Sequence, residues 1–356
     1  MSQLRRPSLG VERFAGVYLL GFFIILFGIL KPHEFLSSGT LHSVASAQAI
    51  TGMLAIAVVI PLAAGTYDLS VGATINLSSI LAIWLQSQHE VSMGVAIAIA
   101  VGTAMLVGII NGIVIVRFRV NSFIATLGTA SIVTATQQII VGQTQPNSPL
   151  NPSWAEITTK TIFGFQLVVL YLLVMGAGAW WLLSRTPAGR YVYATGSNPE
   201  AARLSGVAVS RWTFLSLMLS SAVAGVAGVF YGSLYGPSLT YGPSLLLPAF
   251  AAAFLGTTLV AGARFNIWGS LLAIYALATG VKGLQLVTGA PWLAQMFNGV
   301  ALILAVSITV WRRSAVASAR QDEAEKHVRA TEGETQRARQ PDPPPLVARY
   351  VDGSSP

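Results

Sequence analysis

Ten apolar stretches separated by short polar breaks constrain this chain more than any other feature. They cover residues 15–30, 45–64, 71–85, 93–116, 123–141, 165–183, 212–235, 245–260, 267–287 and 292–311. A helix needs about 20 apolar residues to cross about 30 Å of hydrocarbon, where the backbone finds no partner outside its own segment. Several stretches are shorter than that, a pattern associated with broken helices that line a cavity. Only 10% of the 356 residues are charged and 53% are hydrophobic, whereas a soluble domain carries about 25% charged residues. The expected fold is all-α and polytopic, with about ten transmembrane helices.

Charge sets the orientation. With ten spans both termini lie on one side of the membrane. Of the 21 Lys and Arg residues, all but Lys31, Lys160 and Lys282 fall on that side. By the positive-inside rule the termini and the loop near residue 200 are therefore cytoplasmic. The net charge of +8 is thereby explained by membrane orientation, with no nucleic acid required. The basic N-terminus followed by an apolar run reads as an uncleaved first span. The expected division is a cytoplasmic segment 1–14, a transmembrane domain 15–313 and a disordered cytoplasmic tail 314–356, rich in charge and proline. The loop 142–164 would then be external. Its Asn, Pro and Ser content favours turns over helix, and Trp154 within it is expected at the lipid–water interface.

Few residues are equipped for chemistry. Cysteine is absent, and no two of the four histidines have metal-ligand spacing. No lysine follows a glycine, so the chain has no phosphate-binding Gly-Lys loop of its own. Hydrolase and metalloprotease motifs are also missing. Between residues 16 and 311 the acidic residues are Glu34, Asp68, Glu90, Glu156 and Glu200. Asp68 lies at a break between two apolar stretches, where it either caps the following helix or serves as a gate. Uncharged polar residues inside the spans, among them Asn76, Ser79, Thr126, Thr129 and Gln137, together with Phe123, are candidates for a path taking hydroxyl-rich solutes. The competing role for small and hydroxyl residues is close packing between spans.

One loop is built as a short, fully punctuated helix. Asn198 is placed to cap it, Pro199 suits the first helical position, and Glu200 puts negative charge at the positive dipole end. Ala201, Ala202, Arg203, Leu204 and Ser205 continue it, and Gly206 supplies the left-handed residue that closes it. Ala201 and Leu204 share an apolar side, and Glu200 and Arg203 have the i,i+3 spacing of an ion pair.

The run Arg185–Tyr191 with Tyr193–Val207 resembles the coupling-loop signature of monosaccharide ABC importer permeases of the ribose, xylose and galactose kind. Asp68-Leu69-Ser70-Val71-Gly72 and Asn121–Gly128 resemble two further blocks of that family, and Leu255–Arg264 is a looser match. The family usually has a Gly-Gly pair before the Asp block, where this chain has Gly65-Thr66.

The resemblance implies a type II ABC importer fold, that of the cobalamin importer, with spans two to five and seven to ten as inverted halves. It also implies partners: an ATPase subunit holding ATP-Mg, into whose cleft residues 198–206 dock, a second permease subunit (identical or a paralogue), and a soluble sugar-binding protein. The chain itself would hold no cofactor or metal and would not be an enzyme. The alternative is an ion-coupled secondary transporter, which usually needs intramembrane acids; Asp68 is the sole candidate.

Overall fold

A computed structural model of the chain describes residues 15–142, 145–149, 151–259, 264–308 and 310. The segment 1–14 and the expected tail 314–356 lie outside the described residues, as do positions 260–263 of the fourth sequence block. The helices in chain order are α1 (Ala15–Leu30), α2 (Pro32–Phe35), α3 (Ser38–Ala63), α4 (Val71–His89), α5 (Met93–Arg117), α6 (Ser122–Val141) and α7 (Pro152–Thr159). A two-strand hairpin, β1 (Thr161–Ile162) and β2 (Phe165–Gln166), leads into α8 (Leu167–Arg185), α9 (Pro187–Ser197) and α10 (Pro199–Leu204). Then come α11 (Val209–Tyr235), α12 (Tyr241–Ser244), α13 (Leu246–Leu259), α14 (Ile267–Thr288) and α15 (Leu293–Ile308).

Among the described residues, each of the ten expected stretches holds a helix, although the first two residues of the sixth, Phe165 and Gln166, form β2. Six helices are long and apolar enough to cross a membrane: α3, α5, α6, α8, α11 and α14. The shorter α1, α13 and α15 and the more polar α4 occupy the other four stretches. Boundaries shift where polar residues join a helix. α3 starts at Ser38, well before residue 45, because Ser37 accepts a hydrogen bond from Thr40 N at 3.1 Å and so caps a polar first turn.

α3 is the axis of the fold. Every residue from Ala49 to Ala63 is buried, and a helix apolar on all sides must be enclosed by others. It is packed by α8, α11, α13 and α14, while α11 also runs along α4 and α5. Small residues allow these helices to approach closely. A Cβ on Gly108 would lie 2.8 Å from Met218 Cα, so α5 meets the α11 backbone itself. Ser78 of α4 donates to the Gly225 carbonyl of α11 at 2.7 Å, a bond worth about 0.6 kcal/mol on average between spans. The outer faces of α5, α6 and α8 expose Ile99, Leu106, Ile110, Ile124, Leu127, Ile132, Leu173 and Val174, an apolar surface suited to hydrocarbon or a partner span.

The loop between α6 and α8 corrects two expectations. Asn151 caps α7 by accepting from Ser153 N at 3.0 Å, with Pro152 at its first position, so the segment forms a helix as well as turns. Trp154 is 2% exposed and does not sit at an interface. Its indole N–H donates to Gly232 O at 3.3 Å, and Ser233 Oγ donates to its carbonyl at 2.6 Å. Buried hydrogen bonding and contact with Leu81, Ile83 and Val229 hold it more firmly than a headgroup region would.

Candidate functional site

The short helix α10 forms as its sequence dictates. Asn198 Oδ1 accepts from Ala201 N at 3.0 Å, and Pro199 opens the first turn. At the other end Gly206 has φ +83°, and Val207 N donates to Ala202 O at 2.9 Å, closing a Schellman-type cap. Six residues are too few for an independent helix, so packing must hold it. Ala202 is its buried residue, while Ala201 is exposed and Leu204 is 91% exposed. The spacing of Glu200 and Arg203 does not produce an ion pair; among the described residues the one ion pair is Lys31–Glu34. Both side chains reach into solvent, where such a pair gains little.

The preceding helix α9 seats α10 on the bundle. Thr186 caps it through Gly189 N at 3.3 Å. Tyr193 OH donates to Phe265 O at 2.6 Å just before α14, and Tyr191 stacks on Trp212 of α11 with ring centroids 5.2 Å apart. Burial pushes the Tyr193 phenol above its usual range, and the nearby Arg264 charge acts the other way. At its C-terminal end Gly196 touches the end of α3. A Cβ on Gly196 would run into Ala63 O and lie 2.8 Å from Gly65 N. Gly65 has φ +78°, and Thr66 N and Oγ1 both donate to Pro61 O, so the turn is tight with one glycine. Displacing α9 therefore displaces the exit of the buried axis helix.

That exit leads directly to Asp68, 1% exposed, at the centre of a polar node. Its Oδ1 accepts from Ser70 N at 3.1 Å and Ser70 Oγ at 2.6 Å, an Asx-type turn that ends at Ser70, the N-cap position of α4, which has no side-chain cap bond of its own. Its Oδ2 accepts from Ser220 Oγ of α11 at 3.0 Å, while Asn111 of α5 donates to Ser70 Oγ at 2.8 Å. From α6, Thr126 Oγ1 accepts Leu69 N at 3.1 Å and Ser122 Oγ accepts Tyr67 N at 3.2 Å. Burial pushes the carboxyl of this connecting segment above its usual range, and the bonds from Ser70 and Ser220 pull it back. The node joins α4, α5, α6 and α11 beside the seat of α9.

The remaining path candidates fall on two kinds of surface. Asn76 is buried and accepts from Gly242 N at 2.8 Å, Ser79 packs under Gly232, and Gln137 donates to Ala73 O at 2.8 Å. With Thr126 they fasten α4 to its neighbours. Phe123 is exposed at the start of α6, and Thr129 is half-buried. A cleft of about 450 Å³ does run beside α4 and α6, lined by Leu69, Ser131, Thr134, Gln138, Pro243 and Leu246 among others. It uses the face of α6 next to the one that Thr126 and Gln137 occupy. Gln138 is a polar residue inside the fifth apolar stretch, but choosing its face needs the position of α4. Ser131 and Thr134 carried no separate signal.

A family model described as "Branched-chain amino acid transport system / permease component" matches residues 40–306. The fructose import permease protein of Rhizobium meliloti is 29% identical over 304 residues, covering 83% of this chain and 84% of that protein. An autoinducer 2 import system permease protein of Enterobacter sp. (strain 638) is 30% identical over 289 residues, 79% of this chain and 82% of the relative. The ribose import permease protein of Escherichia coli (strain K12) is 27% identical over 295 residues, 80% and 89% of the two chains. No solved structure matches.

Proposed function

The chain belongs to the family of branched-chain amino acid transport system permease components, and on that premise we propose that it moves a monosaccharide of the pentose or hexose class across the bacterial cytoplasmic membrane. It is the membrane-spanning permease of an ABC importer, with a type II importer fold, and is not itself catalytic. ATPase and binding-protein partners go with that class.

In the proposed arrangement the termini and α10 face the cytoplasm. An ATPase subunit carrying ATP-Mg receives α10 in a surface cleft, and a soluble protein delivers sugar to the opposite face. A second permease subunit, identical or a paralogue, closes the path along the exposed face of α6. Closure of the ATPase would push α10, and α9 would pass the motion to the end of α3 and the Asp68 node, switching the bundle between its outward and inward states.

The observation that carries this reading is a six-residue helix capped at both ends, seated through Gly196, with Leu204 91% exposed. A leucine left bare at the tip of a rigid polar loop fits the floor of a partner's cleft. For the cargo, support comes from relatives named for fructose and ribose import and from the uncharged cleft with Ser131, Thr134 and Gln138.

Proteoliposomes with the ATPase, internal ATP and an external binding protein provide the test. Fructose, ribose or a related sugar should accumulate only with ATP and be blocked by vanadate. Uptake driven by an ion gradient without the ATPase would overturn the proposal.

A further inference from the structure

The end of the bundle opposite α10 holds a second cleft, of about 490 Å³. α3 begins there and ends against Gly196, so about 39 Å of helix separates the two regions. Its polar lining comes from four elements: His42, Ser43 and Ser46 from the start of α3, Thr159 from the end of α7, Thr161 and Gln166 from the hairpin, and Tyr235 from the end of α11.

The hairpin is shaped to frame this space. Phe163 and Gly164 have φ +51° and +83°, the signs of a two-residue type I′ turn. A Cβ at Gly164 would lie 3.1 Å from His42 Cε1, and Phe165 meets the His42 ring edge-on at 4.6 Å between centroids. The imidazole edge thus lies against Gly164, with Nε2 3.3 Å from the same Cβ position, and the ring is held between the turn and Phe165.

Most of its polar atoms are unspent; Thr159 is the exception, donating to Ala155 O at 2.8 Å. Hydroxyls on helices elsewhere in this chain commonly donate back to a carbonyl four residues earlier, as Thr103, Thr134, Thr136 and Thr279 do. Ser43 and Ser46 do not, although Ser46 is only 8% exposed. Among the described residues no side-chain hydrogen bond from His42, Ser43, Ser46, Thr161 or Gln166 to the protein exists. Convergent polar groups without protein partners, in a concave site of this size, are what a small ligand requires. No Asp, Glu, Lys or Arg lines the cleft, which disfavours an ion. An amide, an imidazole and several hydroxyls offer donors and acceptors in many directions, and Tyr235 with Ala47 and Leu234 offers an apolar face.

We infer that this cleft is a binding site for a neutral polyhydroxylated molecule of monosaccharide size, separate from the cleft beside α6. That it serves the transported sugar on its way in rests on the proposed import function; the binding itself does not.

The chain has no cysteine, so Ser43→Cys introduces a unique thiol. The full-length variant, reconstituted without ATPase or binding protein in phosphatidylcholine vesicles, is labelled with a membrane-impermeant maleimide. Glucose, fructose or ribose at millimolar concentration should slow labelling at least threefold, whereas glycerol and gluconate should not. Adding Gln166→Leu should raise the half-protecting concentration about tenfold at unchanged protein yield. Thr161→Cys, at an exposed position, gives the same readout if Ser43→Cys is not recovered. A thiol that never reacts, protection by no sugar, or equal protection by gluconate would each overturn the inference. Sugar protection in a protein that fails ATP-driven uptake would sink the import reading and leave this site standing; ATP-driven uptake with no protection would do the reverse.

Discussion

Replacing Gly196 by alanine tests whether the loop helix is mechanically tied to the bundle. The added methyl would run into Ala63 O and lie 2.8 Å from Gly65 N and 2.9 Å from the Ala64 carbonyl carbon. All three are backbone atoms, so no side chain can swing aside. Ordinary carbon contacts lie at about 3.5–4.0 Å, and α9 must therefore back away from α3 by about 1 Å. Overpacking of this kind costs about 1–3 kcal/mol. A coupling energy of that size corresponds to about a 5–150-fold change between linked sites. The variant should reach the membrane in normal amounts, because no span loses hydrophobicity. ATP-driven sugar uptake should fall about tenfold or more, and stimulation of the ATPase by loaded binding protein should weaken with it. Gly178→Ala on α8, where a Cβ meets nothing within 4 Å, is the matched control and should behave as wild type. Gly196→Ala with wild-type uptake and stimulation would refute the mechanical link.

Gly206→Val places a β-branched residue at φ +83° with open space around it. The cost of about 1 kcal/mol or more is therefore conformational, and co-purification of the ATPase should drop while membrane levels hold. Ser220→Ala leaves Asp68 Oδ2 without its donor from α11; a loss of about 1–3 kcal/mol should appear as a lower thermal-inactivation temperature in detergent. A tag at Asn151 should be labelled from outside intact cells, whereas a cysteine at Ser197 should be labelled only after permeabilisation; the opposite pattern would invert the topology.

Much of the fold was legible because its signals are local. Each apolar stretch holds a helix, and Asn198, Pro199 and Gly206 announce the ends of α10 through side-chain capping and a left-handed residue. What stayed hidden depends on residues distant in sequence. Trp154 lies in a loop of turn-forming composition, and nothing nearby shows that Gly232 and Ser233 receive it. The Asn151-Pro152 start of α7 was a readable cap masked by the surrounding prolines and serines. Gly196 reads as an ordinary glycine until α3 is placed against it. Thr126 and Gln137 were visible as polar residues in a span, but whether they face a cleft or α4 depends on the rotation of α6. The sequence spacing of Glu200 and Arg203 permits a pair, yet water competes for both groups.

The most direct test of the ATPase-docking role of α10 is a photo-crosslink from its bare apolar side chain. A benzophenone amino acid at Leu204, in cells that also express the ATPase subunit, should give a permease–ATPase adduct on irradiation. The same probe at Val174 on the outer face of α8, exposed but far along the chain from α10, should give none. Absence of the adduct at Leu204 in a complex that still co-purifies intact would show that the ATPase binds elsewhere and would contradict the docking role of α10.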